Sequence, residues 1–356
     1  MKKRAISILL ASAMLASSLA AGAATVNAGE EKEKYVIGMS QCNLGEPWRV
    51  AMNEQIERAA KEHPEFEVIF SDAAQDNSKQ IADIENFVQM GVDLLMVSPN
   101  EATPLTNAVS AAYDAGIPVI LLDRKIDGDK YTQFIGADNV EMGRVAGEYV
   151  ADVLLPDGGK VCEIKGLEGT SGGIDRDKGF REGIAKNDKI EIVAENNADW
   201  LREKAITVAE EMLQTNDEID LFIALNDPMA EGAYIAAKNA GREGDIKFIG
   251  FDGLATPDGG IRSVIDGRLS MTQVYPTGGA EAIESAYQLL VEGKELDKTL
   301  TLESEIVTPE TAEDLLAKYS GSEDGEAAEE TEDAAAAEEE TAEDAAEEET
   351  TEEAAE

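Results

Sequence analysis

The sequence predicts an α/β protein made of two similar halves, each a parallel sheet covered by helices. Short unbroken apolar runs alternate with longer amphipathic stretches from about Glu33 to Ser320, and the alternation restarts partway along the chain. Strands covered by helices on both faces read as continuous apolar runs, the pattern of parallel sheets. In addition, polar and charged residues stand at or just after the carboxyl ends of these runs. In open parallel sheets that is the edge where ligands bind.

In the first half, YVIGMSQ, FEVIFSDA, DLLMVSP, IPVILLDR and TQFIGAD read as strands. A helix is expected after each of the first four, as in PWRVAMNEQIERAAKE and SKQIADIENFVQMG, whose apolar residues recur at helical spacing. The second half restarts with KVCEIKG and continues through IEIVAEN, DLFIALND, IKFIGFDG and SMTQVYP. Between these runs lie LREKAITVAEEMLQ and PMAEGAYIAAKNAG, again helical in period. No repeat with a period of about 20–50 residues is present, which argues against a solenoid.

The chain has 356 residues, 30 of them basic and 74 acidic, for a net charge of −44. At about 150 residues per domain this length accommodates two domains. Such a charge argues against nucleic acid or any other polyanion as a partner of the bulk surface. With a single histidine, His63, and two cysteines, there is no material for a His pair, a metal-binding His cluster or a CxxC pair. No cofactor is expected.

Both ends differ from the middle. Lys2, Lys3 and Arg4 precede an apolar run from Ala5 to about Leu19 and then small residues, the layout of a secretory signal peptide spanning 1–28. The run is rich in Ala and Ser and shorter than the roughly 20 strongly apolar residues of a membrane span. It is followed by no cysteine that could take a lipid, so the mature protein is expected to be soluble and periplasmic or secreted. Residues 321–356 read as a disordered acidic tail: from Glu323 onward it carries 18 acids, no base and no aromatic ring.

The strand-end residues are Ser40, Gln41, Asp72, Ser98, Asn100, Asp123, Arg124, Asp138, Asn139, Asn226, Asp227 and Asp252. Asp72, Asp138 and Asn139 are read as ordinary helix caps. Trp48 and Trp200 are the only tryptophans, and each falls after a strand end among polar neighbours, which suits a cleft wall better than a core. An indole plane covers the apolar C–H face of a sugar ring and leaves its hydroxyls to polar partners. Arg49, Asp123, Arg124, Arg176, Asn226 and Asp252 supply such partners, because carboxylates accept from hydroxyls and guanidinium groups donate to them. The set suits a neutral polyol, although Arg124 and Arg176 are equally open to structural pairing with neighbouring acids.

The segments SQCNLGEPWR, LLDR, GTSGGIDRDKGF, NADW, ALNDPM and IGFDG, in this order and spacing, resemble the type I periplasmic sugar-binding proteins that serve ABC transporters. The resemblance covers Tyr35 to about Leu315 and is to the ribose-binding branch, with PWR most similar to galactofuranose binders. It implies a Venus-flytrap fold, two Rossmann-like lobes with parallel sheets joined by a three-crossover hinge. The N-terminal lobe would comprise 35–137 plus 275–305, and the C-terminal lobe 138–274 plus 306–320. It also implies that a monomer holds a monosaccharide with Trp48, Arg49, Asp123, Arg124, Arg176, Trp200, Asn226 and Asp252 and delivers it to a membrane permease. Glu46 stands where ribose binders have asparagine, and Val274, flanked by Gln273 and Tyr275, stands where they have glutamine.

Other readings fit less well. GLEGTSGG lacks the GxGxxG spacing and DGGKVC lacks the hydroxyl after lysine that a phosphate loop needs. Ser40, Ser171 and His63 form no triad, and Cys42 and Cys162 are expected to be free, buried thiols. An exported sugar-active enzyme would use Asp123 and Asp252 as an acid–base pair, but the arginines beside them are expected to keep both ionised. A ligand presenter for a chemoreceptor or sensor kinase would hold its sugar in the same way as a transport protein. A transcription regulator is disfavoured by the export signal.

Overall fold

The computed structural model describes residues 34–323, so the signal peptide expected at 1–28 and the disordered tail expected beyond 323 lie outside the described residues. The ten apolar runs all form strands: β1 (Tyr35–Gln41), β2 (Phe66–Asp72), β3 (Leu94–Val97), β4 (Val119–Leu122), β5 (Gln133–Ala137), β6 (Gly159–Lys165), β7 (Ile190–Asn197), β8 (Leu221–Ala224), β9 (Lys247–Ile249) and β10 (Thr272–Val274). Two further strands, β11 (Thr299–Leu302) and β12 (Glu305–Val307), have no apolar run to mark them.

One sheet has the order β11-β5-β4-β3-β1-β2 and the other β7-β6-β8-β9, with parallel pairing throughout. β10 adjoins β9 through parallel bridges and pairs antiparallel with β12. The unbroken apolar runs follow from burial on both faces. In β3, Leu94 and Met96 enter one core while Leu95 and Val97 enter another, and β4 divides its residues in the same way.

α1 (Pro47–Lys61), α2 (Asn77–Met90) and α3 (Ala102–Asp114) follow β1, β2 and β3. No helix follows β4, contrary to expectation. Loop 123–132 leads directly to β5, which pairs with β4 through Ile120↔Gln133. The loop carries IDGD with Gly128 at φ +88° and lacks a helical apolar face, so it turns instead. This return draws Asp123 against β5, its backbone N–H donating to Ile135 O at 2.9 Å.

After β5 the chain crosses to the second sheet through α4 (Asn139–Tyr149), which continues as a π-helical turn over Val150–Leu154. Asp138 caps α4 by accepting from the backbone of Val140 and Glu141. α5 (Ser171–Ile184) packs on α4 at backbone contact: a Cβ on Gly179 would stand 2.0 Å from Val140 O, and one on Gly143 would stand 2.2 Å from Arg176 O. That approach sets Arg176 beside Asn139. α6 (Arg202–Thr215), α7 (Asp227–Asn239) and α8 (Gly260–Ile265) complete this part of the chain.

The chain returns to the first sheet after β10, where α9 (Gly279–Leu290) packs on α1 and β11 adds to β5. It crosses a third time into β12 and α10 (Ala312–Glu323), which packs on α8. The tail boundary expected at 321 therefore falls inside a helix.

Candidate functional site

Trp48, Arg49, Asp123, Arg124, Arg176, Trp200, Asn226 and Asp252 line one small, closely packed cavity together with Glu46, Gly172 and Tyr275. Both sheets supply it from their carboxyl edges. Pro47 opens α1 and places Trp48 and Arg49 in its first turn. Asp123 and Arg124 follow β4, Arg176 is on α5, Trp200 precedes α6, and Asp252 and Tyr275 follow β9 and β10. Asn226 caps α7, its Oδ1 accepting from Met229 N, while its amide donates to Trp200 O at 3.1 Å.

Charge is concentrated around Asp123. Arg49 Nη2 donates to Asp123 Oδ2 at 2.5 Å and Arg49 Nη1 to Ser98 Oγ at 2.9 Å. Arg124 Nε lies 3.6 Å from the same carboxylate and its Nη1 donates to Asn100 O at 3.0 Å. The Tyr275 hydroxyl donates to Asp123 Oδ1 at 2.5 Å and accepts from Asn139 Nδ2 at 3.2 Å. Arg176 Nε donates to Asn139 Oδ1 at 2.7 Å and its Nη1 to Leu225 O at 2.6 Å. One polar network thus runs from Ser98 and Arg49 on the first sheet's side to Arg176 on the second's.

The indoles share the cavity but are held differently. Trp48 stacks on Tyr275 with centroids 4.9 Å apart and 10° between planes, and its Nε1 donates to Tyr275 O at 2.7 Å. One Trp48 face is therefore covered within the protein. Trp200 lies against Gly166, where a Cβ would come within 2.1 Å of its ring, and the guanidinium groups of Arg124 and Arg176 lie 5.6 and 5.9 Å from the ring centroid. Arg49 Nε and Trp200 Nε1 are buried donors with no hydrogen-bond partner among the described residues.

The backbone is strained here. Asp123, Trp200 and Asp252 have φ of 63°, 70° and 125°, a region that side-chain-bearing residues avoid. Such conformations cost on the order of 1–3 kcal/mol each and cluster at ligand clamps. Asp252 is held in place by its own N–H on Gln273 O (3.1 Å) and by Tyr275 N–H on its carbonyl (2.8 Å).

The two carboxylates expected to share one charge state do not. Burial works to raise the Asp123 carboxyl, but Arg49, Arg124 and the Tyr275 hydroxyl outweigh it and hold the group below its ordinary value. Asp252 is pushed well above the carboxylate range by burial and by Asp227, with Arg176 and Arg49 opposing only in part. The expectation that arginines keep both ionised therefore fails for Asp252. The Arg176 fork is turned to Asn139 and Leu225 O instead.

Asn139, read from the sequence as a cap, is a correction of the same kind. Asp138 already caps α4, and the Asn139 amide joins Arg176 to Tyr275. Tyr275 also lines the site, although in the sequence it only ends the apolar run of β10. Asp72 caps no helix: α2 is capped by Asp76, which accepts from the backbone of Ser78 and Lys79, and the Asp72 carboxylate accepts from Ala74 N at 2.8 Å in the loop before it. Cys42 and Cys162 are buried free thiols.

Behind Asp252, burial raises the Asp227 carboxyl to about 7, against opposing hydrogen bonds from Thr272 and Gly253. A raised carboxyl stabilises the fold fully below its unfolded value, and that contribution is lost as pH rises through its folded value. Urea midpoints should therefore fall less steeply for Asp227→Asn than for the unaltered protein between about pH 4 and 7. Parallel pH profiles for the two proteins would show that Asp227 carries no such linkage.

The sequence profile of the family described as "Periplasmic binding protein domain" matches residues 37–295. The chain is 37% identical over 277 residues to the ribose import binding protein RbsB of Bacillus subtilis (strain 168), covering 77% of this chain and 87% of that protein. It is 31% identical over 294 residues to the galactofuranose-binding protein YtfQ of Escherichia coli (strain K12), covering 79% and 90%. It also superimposes on the solved fructose binding periplasmic domain of a hybrid two component system, with a TM-score of 0.78 and 39% identity over 81% and 95% of the two chains. With its paired parallel sheets and the cavity between their carboxyl edges, the chain belongs to the type I periplasmic sugar-binding proteins.

Proposed function

We propose that this protein captures an uncharged monosaccharide, galactofuranose-like or a related pentose or hexose, in the cleft between two lobes and delivers it unaltered to an ABC permease. In this reading the lobes are 35–137 with 275–305 and 138–274 with 306–320, and they close by rotation about the three crossovers. The chain is exported by residues 1–28 and acts as a monomer outside the cytoplasm, without a cofactor and without catalysis.

The observation that carries this reading is the pair of buried donors without a hydrogen bond, Arg49 Nε, which lies 3.9 Å from Glu46 Oε2, and Trp200 Nε1, on a cavity that also presents the Asp252 carboxyl. A buried donor left unpaired costs about 1–3 kcal/mol. Ring and hydroxyl oxygens of a sugar are the acceptors that would relieve it, and the sugar's hydroxyls find an acceptor in Asp252. Micromolar affinity, about −8 kcal/mol, is within reach of these contacts after ordering costs. The named ligands of the relatives, ribose, galactofuranose and fructose, are of the same chemical class. Calorimetry against a panel of pyranoses and furanoses should give a micromolar, one-to-one isotherm for at least one sugar. No heat with any of them would end the proposal.

The likeness to a binding domain of a hybrid two component system supports a second reading, in which the captured sugar is presented to a sensor. Neighbouring permease and ATPase genes would favour transport, and a neighbouring receptor gene would favour sensing.

Gly166→Ala tests the site without removing any polar group. The added methyl forces the Trp200 indole off its seat, at a cost of about 1–3 kcal/mol for overpacking. Sugar affinity is expected to fall at least tenfold by calorimetry. Unchanged affinity would show that the position of Trp200 does not matter.

A further inference from the structure

A second hollow, open to the surface and about 390 Å³ in volume, lies on the crossover side of the site, lined among others by Gln55, Ala59, Leu254, Pro276 and Thr277. It shares two lining residues with the small cavity, Asp252 and Tyr275. Asp252 and Tyr275 thus form a shared wall between the two spaces.

Tyr275 is the fixed part of that wall. It is 3% exposed, its backbone N–H donates to Asp252 O at 2.8 Å, and its carbonyl accepts from Trp48 Nε1 at 2.7 Å. Its hydroxyl is held by Asp123 and Asn139, one ring face stacks on Trp48, and the Arg176 guanidinium lies 4.5 Å from the ring centroid. A side chain anchored at its backbone, its ring and its hydroxyl cannot swing aside for a longer ligand without breaking several of these contacts together.

We propose that Tyr275 is a specificity-determining residue that limits the ligand to a single unsubstituted sugar ring, by closing the cavity off from the hollow behind it. This rests on the monosaccharide reading above. A ring bearing a glycosidic substituent on the Tyr275 side has nowhere to place it, although enough room lies immediately beyond. Truncating the phenol joins the two spaces and gives the substituent a channel.

The test compares the unaltered protein with Tyr275→Phe, Tyr275→Leu and Tyr275→Ala, each checked for native circular dichroism. Affinities are measured by calorimetry for D-ribose, D-galactose and D-fructose and for the phenyl glycoside of each. The unaltered protein and Tyr275→Phe are expected to prefer the free sugar strongly. In Tyr275→Ala, absolute affinity for the free sugar falls, but the ratio of glycoside to free-sugar affinity rises at least tenfold. Tyr275→Leu moves the ratio in the same direction and serves if the alanine variant does not fold. A lost packing contact alone would weaken both ligands and leave their ratio where it was. If the unaltered protein binds a free sugar and the ratio stays fixed in both truncations, or if it already accepts the glycoside equally well, the size limit is wrong while the sugar reading stands. If it binds none of the free sugars, both are wrong.

Discussion

Asp123→Ala is expected to abolish measurable sugar binding and to destabilise the fold by about 3–5 kcal/mol, the usual effect of removing one partner of a buried ion pair. Asp123 is 5% exposed and is the counter-ion of two guanidinium groups, each about as buried as itself. Burial opposes the Arg49 charge, and Asp123 leads the groups that outweigh it and keep that guanidinium protonated. Without the carboxylate, Arg49 and Arg124 remain as neighbouring buried cations, and the Tyr275 hydroxyl loses its acceptor. Asp123→Asn preserves the shape and an acceptor oxygen but not the charge, so a loss nearly as large in the amide variant would identify charge as the cause. The measurement is urea unfolding followed by calorimetry of the folded fraction. A variant that unfolds at the same midpoint and still binds sugar would show that the network around Asp123 is dispensable.

Arg176→Ala is the second large effect, with sugar affinity expected to fall at least tenfold, equivalent to about 1.4 kcal/mol. Arg176 fixes Asn139 and Leu225 O through two hydrogen bonds, and its charge partly offsets the rise of the Asp252 carboxyl. Its removal frees the Asn139 amide and favours the protonated form of Asp252 further. Arg176→Lys should not restore binding, because a single ammonium cannot reproduce the planar fork. Full rescue by lysine would mean that only a positive charge is needed at this place.

Much of this site was legible because its physics is periodic. Strands that end at one edge of a parallel sheet bring their next residues together, so Asp123, Asn226 and Asp252 could be placed side by side from the apolar runs alone. Trp48 and Trp200 stood out because indoles set among polar neighbours, away from apolar runs, are unusual in a core. What escaped notice lacked a local pattern. β11 and β12, reading TLTL and EIV, lie largely at intermediate or exposed positions and hold no apolar run. Tyr275 looks like the last residue of a strand, and only the crossover that follows it turns its hydroxyl toward Asp123.

The Asp138–Asn139 pair shows a different limit. Either residue could cap α4 by type, but one cap suffices, and only the backbone contact between α4 and α5 decides that Asn139 faces Arg176. The charge state of Asp252 was equally hidden. The sequence reveals that arginines are near, but not that their donors are already committed to Asn139, Leu225 O, Ser98 and Asp123. Proximity in sequence motifs gave the right residues and the wrong electrostatics for this one.

Native mass spectrometry of the protein mixed with ribose, galactose and fructose tests most directly whether the cavity is a reversible sugar site. A one-to-one adduct with the mass of a neutral monosaccharide is expected, absent from Asp123→Ala, with the same sugar recovered chemically unaltered after denaturation. An adduct that persists in Asp123→Ala, a recovered product of different mass, or no adduct with any of the three would contradict it.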